Sequence, residues 1–286
     1  MIKLISVVFM MALFGNAHVY AKSPDKQLQE AFNKGRFTLP TAEELQQVSK
    51  AYQRELTGQA TPELWSSLSI HAIRYKDFLY LQEASEHRTG RGLFAIRSGD
   101  NMQPWLLQAP HAKSDLYTGK IATQLFAEGH FKAAMWNTVP RKTPVENSTR
   151  PKTADMAHLP DTYWQAITTS FSRYYKDGKI IQIHGYAQSK RKSSAASTSD
   201  MIISAGHQRP PVWVQQYAAC LKKSLPFKVS LYPFDVKELG ATTNVQGQLL
   251  RKQNFNGFVH IELSKQIRQQ LLDNKALRQV LLTCLP

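Results

Sequence analysis

Lys179-Ile180-Ile181-Gln182-Ile183-His184-Gly185-Tyr186 is the stretch on which the reading of the fold turns. Lys179 to Ile183 is a short apolar, β-branched run, the composition of a strand covered on both faces. It delivers His184 at its carboxyl end, where Gly185 lets the backbone turn and where open α/β sheets place their ligands. Upstream, Asp161–Tyr175 and Thr118–Glu128 have helical spacing, while Ala133–Trp136 and Trp105–Ala109 read as strands. Downstream come a helix over Val212–Leu225, strands over Phe227–Leu231 and Gly257–Glu262, and two C-terminal helical stretches. Strands that alternate with helices predict an α/β three-layer sandwich with a central mixed, largely parallel sheet.

Nearer the front, Thr41-Ala42-Glu43-Glu44 is an N-cap followed by early acids, opening an amphipathic helix to about Leu56. Thr61-Pro62-Glu63 opens a second helix with proline at its first position. From Asp77 the texture changes to short apolar runs at Phe78–Leu81 and Gly92–Ile96. The expected organisation is therefore a leader over 1–21, a helical segment over 22–76 and an α/β domain over 77–286. Two long polar stretches, 137–158 and 188–200, read as loops, and loops beyond strand ends commonly build sites.

The first twenty-one residues carry one cation, Lys3, an apolar run from Leu4 to Phe14, and Val19-Tyr20-Ala21. That pattern predicts a cleaved export signal and a periplasmic or secreted protein, because the apolar run is far short of the ~20 residues a spanning helix needs. No later run is long enough to cross a bilayer, so no stable membrane insertion is expected after cleavage. Export places Cys220 and Cys284 in an oxidising compartment, where a disulfide is expected rather than a reactive thiol. The formal charge of +15 favours anionic partners. A carboxylate-bearing substrate or an envelope polyanion fits that charge; nucleic acid is not expected outside the cytoplasm.

Three places could carry chemistry. His111 and Asp115 follow the strand at Trp105, and they converge if the chain turns helically after Pro110. His184 ends the strand quoted above. Three protein ligands with an open fourth position is the catalytic zinc arrangement, and His111, Asp115 and His184 would supply it. Glu262, in Phe258-Val259-His260-Ile261-Glu262, sits in an apolar run where a carboxylate is out of place unless paired or working. It is the candidate general base, with a salt bridge to Lys265 or Arg268 as the plain alternative. His260, two residues earlier on the same side of the strand, is read as a supporting neighbour.

The ordered set His111, Asp115, Arg141, His184 and Glu262 resembles the zinc carboxypeptidase fold group, including N-formylglutamate amidohydrolase-like and poly-γ-glutamate hydrolase-like enzymes. The local text that carries the resemblance is Pro110-His111, Asn137-Thr138-Val139-Pro140-Arg141, Ile183-His184-Gly185, and Ile261-Glu262-Leu263-Ser264 with Arg268 behind it. It spans roughly residues 90 to 275 and leaves the N-terminal helices outside. The resemblance implies zinc as cofactor, Arg141 as a carboxylate or oxyanion clamp with Arg150 as its rival, and Asn137 near the substrate. Asn244 is a further candidate substrate contact, as is Ser204-Ala205-Gly206. One departure stands out: the group pairs its ligands as His-x-x-Glu, whereas three residues separate His111 from the shorter Asp115.

The resulting expectation is an exported zinc hydrolase that cleaves a peptide or γ-glutamyl-type amide bond in an anionic peptide, polyglutamate or cell-wall peptide. A non-catalytic binder of an envelope polyanion through Lys190-Arg191-Lys192 is the alternative. A serine hydrolase is disfavoured because no Gly-x-Ser-x-Gly elbow occurs.

Overall fold

The computed structural model describes residues 23–32, 35–146, 148 and 152–286; the expected leader and Arg150 lie outside them. Helix α1 (Pro24–Ala31) is followed by α2 (Ala42–Leu56) and α3 (Pro62–Ser67). Thr41 closes a full capping box on α2, accepting from the Glu44 N–H while the Glu44 carboxylate accepts from the Thr41 N–H. Thr61 precedes Pro62 but does not cap with its side chain; its N–H and hydroxyl both donate to Glu55.

The strands are β1 (Ile70–Tyr75), β2 (Phe78–Glu83), β3 (Leu93–Arg97), β4 (Gln103–Ala109), β5 (Phe131–Trp136), β6 (Lys179–Gly185), β7 (Met201–Ser204), β8 (Val229–Leu231) and β9 (Phe258–Leu263). The remaining helices are α4 (Thr118–Glu128), α5 (Tyr163–Tyr174), α6 (Ser194–Thr198), α7 (Val212–Ser224), α8 (Val245–Lys252), α9 (Lys265–Asp273) and α10 (Lys275–Thr283).

One sheet of nine strands runs in the order β1-β2-β3-β5-β4-β6-β9-β7-β8. Its centre, β5-β4-β6-β9, is parallel, whereas β1, β2 and β3 form an antiparallel meander on one side and β7 joins β9 antiparallel on the other. The sheet is therefore mixed, and largely parallel only at its centre. It also begins at Ile70, before the expected start of the α/β domain: β1 is an edge strand whose half-exposed residues lack an apolar signature.

Both faces are covered, as a parallel centre requires. Odd-numbered residues of β6 and β9, such as Ile181, Ile183, Val259 and Ile261, pack with α1, α4, α7, α9 and α10. The other face, with Leu106, Met135 and Ile180, packs against α2, α3, α5 and α8 through Tyr52, Trp65, Trp164, Phe171 and Leu250. Cys220 and Cys284 form a disulfide that ties the chain's end to α7. Among the described residues no helix is long and apolar enough to cross a membrane.

Candidate active site and metal centre

The even-numbered positions of the central strands break the apolar rule. Gln108 of β4, Gln182 of β6 and His260 of β9 lie in register across the sheet, and His184 stands opposite Glu262 one step further on. All are buried. Period-2 alternation keeps them on the α5 and α8 side, so a polar row crosses the sheet and ends at the carboxyl end of its parallel strands. There it opens into a cavity of about 860 Å³.

Directly after β4 the chain makes a helical turn, with the Asp115 N–H donating to the His111 carbonyl at 2.8 Å. That turn brings both side chains to one side. His111 Nδ1 lies 3.2 Å from Asp115 Oδ2 and 3.1 Å from His184 Nδ1, and His184 Nδ1 lies 4.0 Å from the same carboxylate oxygen. Gly185 N–H donates to that oxygen at 2.9 Å and fixes it.

The opposite nitrogens settle the tautomers. His184 Nε2 faces the Gln182 carbonyl oxygen at 2.8 Å, and His111 Nε2 faces Asp155 Oδ1 at 2.8 Å. Both partners only accept, so both Nε2 atoms carry hydrogen and both Nδ1 atoms present lone pairs. Two lone pairs and a carboxylate oxygen therefore point at one spot, which only a cation satisfies. Tetrahedral zinc with ligand bonds of 2.0–2.2 Å has ligand-to-ligand edges of roughly 3.3 Å. The observed edges of 3.1, 3.2 and 4.0 Å bracket that value, and an acceptor behind each histidine is how zinc-bound imidazoles are held. The residues fit a zinc ion.

A second grouping, His184 with His260 and Glu262, spans no more than 4.8 Å. It would need the same His184 lone pair, which already faces His111. Burial opposes charge on His111, but hydrogen bonds to Asp115 and Asp155 hold its pKa above the ordinary value. Burial, reinforced by neighbouring His260 and His111, pushes His184 well down.

Glu262 is different. One of its carboxylate oxygens and the Nδ1 of His260 are buried without a hydrogen-bond partner among the described residues. Burial first, and the nearby Asp115 charge second, push the Glu262 pKa up to about 8. A carboxyl group so placed exchanges a proton readily near neutrality. His260, 3.7 Å from it, is driven down to about 3, chiefly by burial, and stays neutral.

Arg141 lines the cavity with Nη2 bonded to Asp155 at 2.6 Å. The two candidate asparagines do other work. Asn137 does not line the cavity; its amide donates to the Ala154 carbonyl and accepts from the Val139 N–H, holding the loop that carries Asp155. Asn244 reaches the cavity wall, but it caps α8 by accepting from Gly247 N–H and donates to Gln182 at 2.6 Å. Asn244 thus bonds the acceptor that orients His184, and Asn137 holds the backbone next to the acceptor that orients His111. Ser204, at the end of β7, donates to the Gly240 carbonyl and accepts from the Gly206 N–H. Arg268 donates to the carbonyls of Leu116, Ser264 and Tyr186, not to Glu262.

Sequence reasoning did not single out Asp155 or Gln182. Gln182 had a signal, a polar residue inside an apolar strand two positions before His184. Asp155 had none, lying in a loop 44 residues from His111.

No protein-family model and no curated protein matches this chain. Solved structures similar to it include an N-formylglutamate amidohydrolase from Ralstonia eutropha JMP134, at 12% identity and TM-score 0.45 over 68% of this chain and 95% of that one. A succinylglutamate desuccinalase from Vibrio parahaemolyticus has 10% identity and TM-score 0.43 over 74% and 77% of the two chains. An aspartoacylase family protein from Mesorhizobium loti has 12% identity and TM-score 0.42 over 76% and 70%.

Proposed function

We propose that this chain is an exported, zinc-dependent hydrolase that cleaves a peptide or γ-glutamyl-type amide bond in a carboxylate-bearing substrate. The observation that carries the reading is the convergence of the His111 and His184 lone pairs with the Asp115 carboxylate, beside Glu262, one of whose oxygens is buried without a partner among the described residues. When bound, zinc polarises a carbonyl oxygen and makes water acidic enough to attack near neutral pH. Glu262 takes a proton from the attacking water and returns it to the departing amide nitrogen. Asp155 and Gln182 keep both histidines in the ligating tautomer. Arg141, partly exposed at the cavity wall and held by Asp155, presents a guanidinium edge to an anionic group of the substrate.

The disulfide and the sequence pattern of residues 1–21 support export. The polyanion-binding alternative is less well supported, because Lys190 and Arg191 line the same cavity as the convergent histidines, although Lys190 and Lys192 are also exposed. The test is metal content by plasma mass spectrometry, with hydrolysis of N-acylglutamates and γ-glutamyl peptides measured in parallel. About one zinc per chain is expected, lost in His111→Ala and His184→Ala and retained in Glu262→Gln. A chain that takes up no zinc on dialysis against the metal sinks the reading.

A further inference from the structure

The cations of the cavity lie on two flanks. Arg141 follows β5, on one side of the ligand-bearing strands β4 and β6. The segment from Tyr186 to Asp200 leads from β6 across the end of β9 to β7, and it brings Lys190 and Arg191 to the cavity from the other side. Lys265, the first residue of α9 after β9, joins them. Glu262 lies between the flanks, and the charges of both Arg191 and Arg141 act on it.

These cations are not equally occupied. Arg268 is used up on three backbone carbonyls, and Arg141 is bonded to Asp155. Arg191 is the exception: its Nε is buried with no hydrogen-bond partner among the described residues. Its nearest acid, Glu238, stands 3.9 Å from Nη1, beyond hydrogen-bond reach. Glu238 is also already engaged, accepting from the Lys192 N–H, the Ser193 N–H and the Ser193 hydroxyl. Arg191 lines the cavity with its side chain 22% exposed, and no hydrogen bond to Glu238 saturates it, so an anion entering the cavity meets an available guanidinium. The loop is set in advance, since Glu238 pins Lys192 and Ser193 while Tyr186 and Gln188 both donate to the Ser199 carbonyl. The acids of the cavity wall are Asp115, turned to the metal position, and Glu262; Glu238, outside the wall, offsets Arg191 across 3.9 Å but leaves Lys190 and Lys265 to the cavity.

We propose that the substrate carries negative groups on both sides of the scissile amide, and that Arg191, aided by Lys190 and Lys265, holds the one remote from Arg141. That the two anions flank a scissile amide rests on the hydrolase reading; the anion subsite does not. Planar bidentate capture of a carboxylate suits arginine, which makes Arg191 the specificity-determining residue and the lysines its helpers.

The test is isothermal titration calorimetry with γ-glutamyl-glutamate, a dipeptide with free carboxylates on both sides of its amide. Two half-blocked analogues accompany it, one amidated on the acyl-side residue and one on the amine-side residue. Wild type, Arg191→Gln, Lys190→Gln and Arg141→Gln are compared, zinc-loaded and metal-free, with circular dichroism to confirm folding. Arg191→Gln is expected to weaken the free dipeptide about tenfold or more, the scale of one charge-assisted hydrogen bond, and to stop distinguishing one half-blocked analogue. Arg141→Gln should stop distinguishing the other, and Lys190→Gln should cost only a few-fold. Unchanged affinity in Arg191→Gln, sensitivity of both arginine variants to the same analogue, or no binding by wild type overturns the proposal. Arg191-dependent binding in a chain that takes up no zinc would sink the hydrolase reading alone. Turnover indifferent to Arg191 would sink the subsite alone.

Discussion

Two pairs of side chains stand side by side at the carboxyl end of the sheet's parallel strands, and they are finished to different degrees. Around His111 and His184 every ring nitrogen is accounted for: Nε2 of each donates to an acceptor, and the two Nδ1 atoms meet Asp115 at one point. Around His260 and Glu262, one strand over, a ring nitrogen and a carboxylate oxygen are buried with no hydrogen-bond partner among the described residues. Unsatisfied buried polar atoms cost ~1–3 kcal/mol each, and folds retain them where something outside the chain completes them. On the proposed function, the first pair holds the metal and the second carries the proton transfer.

The largest effect that separates the two comes from Glu262→Gln. The amide keeps the shape but cannot take a proton, so turnover should fall by ~10²–10⁴, the usual contribution of a general base. Thermal stability should hold or rise, because the variant replaces a buried carboxyl that lacks a partner on one oxygen. Steady-state kinetics and calorimetry on the same sample check both halves. A marked loss of melting temperature would show that Glu262 is a structural group after all.

Asp155→Asn probes the finished pair. An amide can turn its nitrogen toward His111 Nε2, and even its oxygen is a weaker acceptor than a carboxylate. Zinc affinity should drop 10- to 100-fold, the range for an outer partner of a ligating histidine, with the ligands themselves intact. Competition with a chromophoric chelator measures this, and an unchanged affinity would break the claim that the pair is tuned from behind.

How much of this was legible beforehand follows from where the signal resides. The strands β4, β6 and β9 announce themselves by apolar runs, and His111, His184 and Glu262 stand out as polar residues at their carboxyl ends. The edge strand β1 and the four-residue β7 do not, because an exposed or very short strand has no alternation to read. Asp155 is invisible for a similar reason: its role depends on a loop held by Asn137, and that bond joins residues with no common period. Asn137 and Asn244 were legible as important but not in what they do. A buried asparagine serves a backbone or a ligand equally well, and only the partners decide.

Asn244→Ala is the next smaller effect. It removes the cap of α8 and one donor to Gln182, which together should cost ~2 kcal/mol in denaturant unfolding. Zinc affinity should weaken only a few-fold, since Gln182 still accepts from His184. An effect on zinc as large as that of Asp155→Asn would mean that Gln182 cannot hold its orientation without Asn244.

The smallest effect lies outside both pairs, in the loop that carries Arg191. The Ser193 hydroxyl, then the Ser193 and Lys192 N–H groups, hold the Glu238 carboxyl down to about 2. A depressed carboxyl stabilises the fold above its unfolded value of ~4.3, and that contribution is lost as pH falls through the folded value of about 2. Protection factors across residues 190–199, corrected for the intrinsic pH dependence of exchange, should therefore fall below pH ~4 while those in β6 and β9 do not. Glu238→Gln should show the lower protection at every pH, with no further loss on acidification. If the variant keeps the acid dependence, another carboxyl secures the loop, and the anchoring of Arg191 must be sought there.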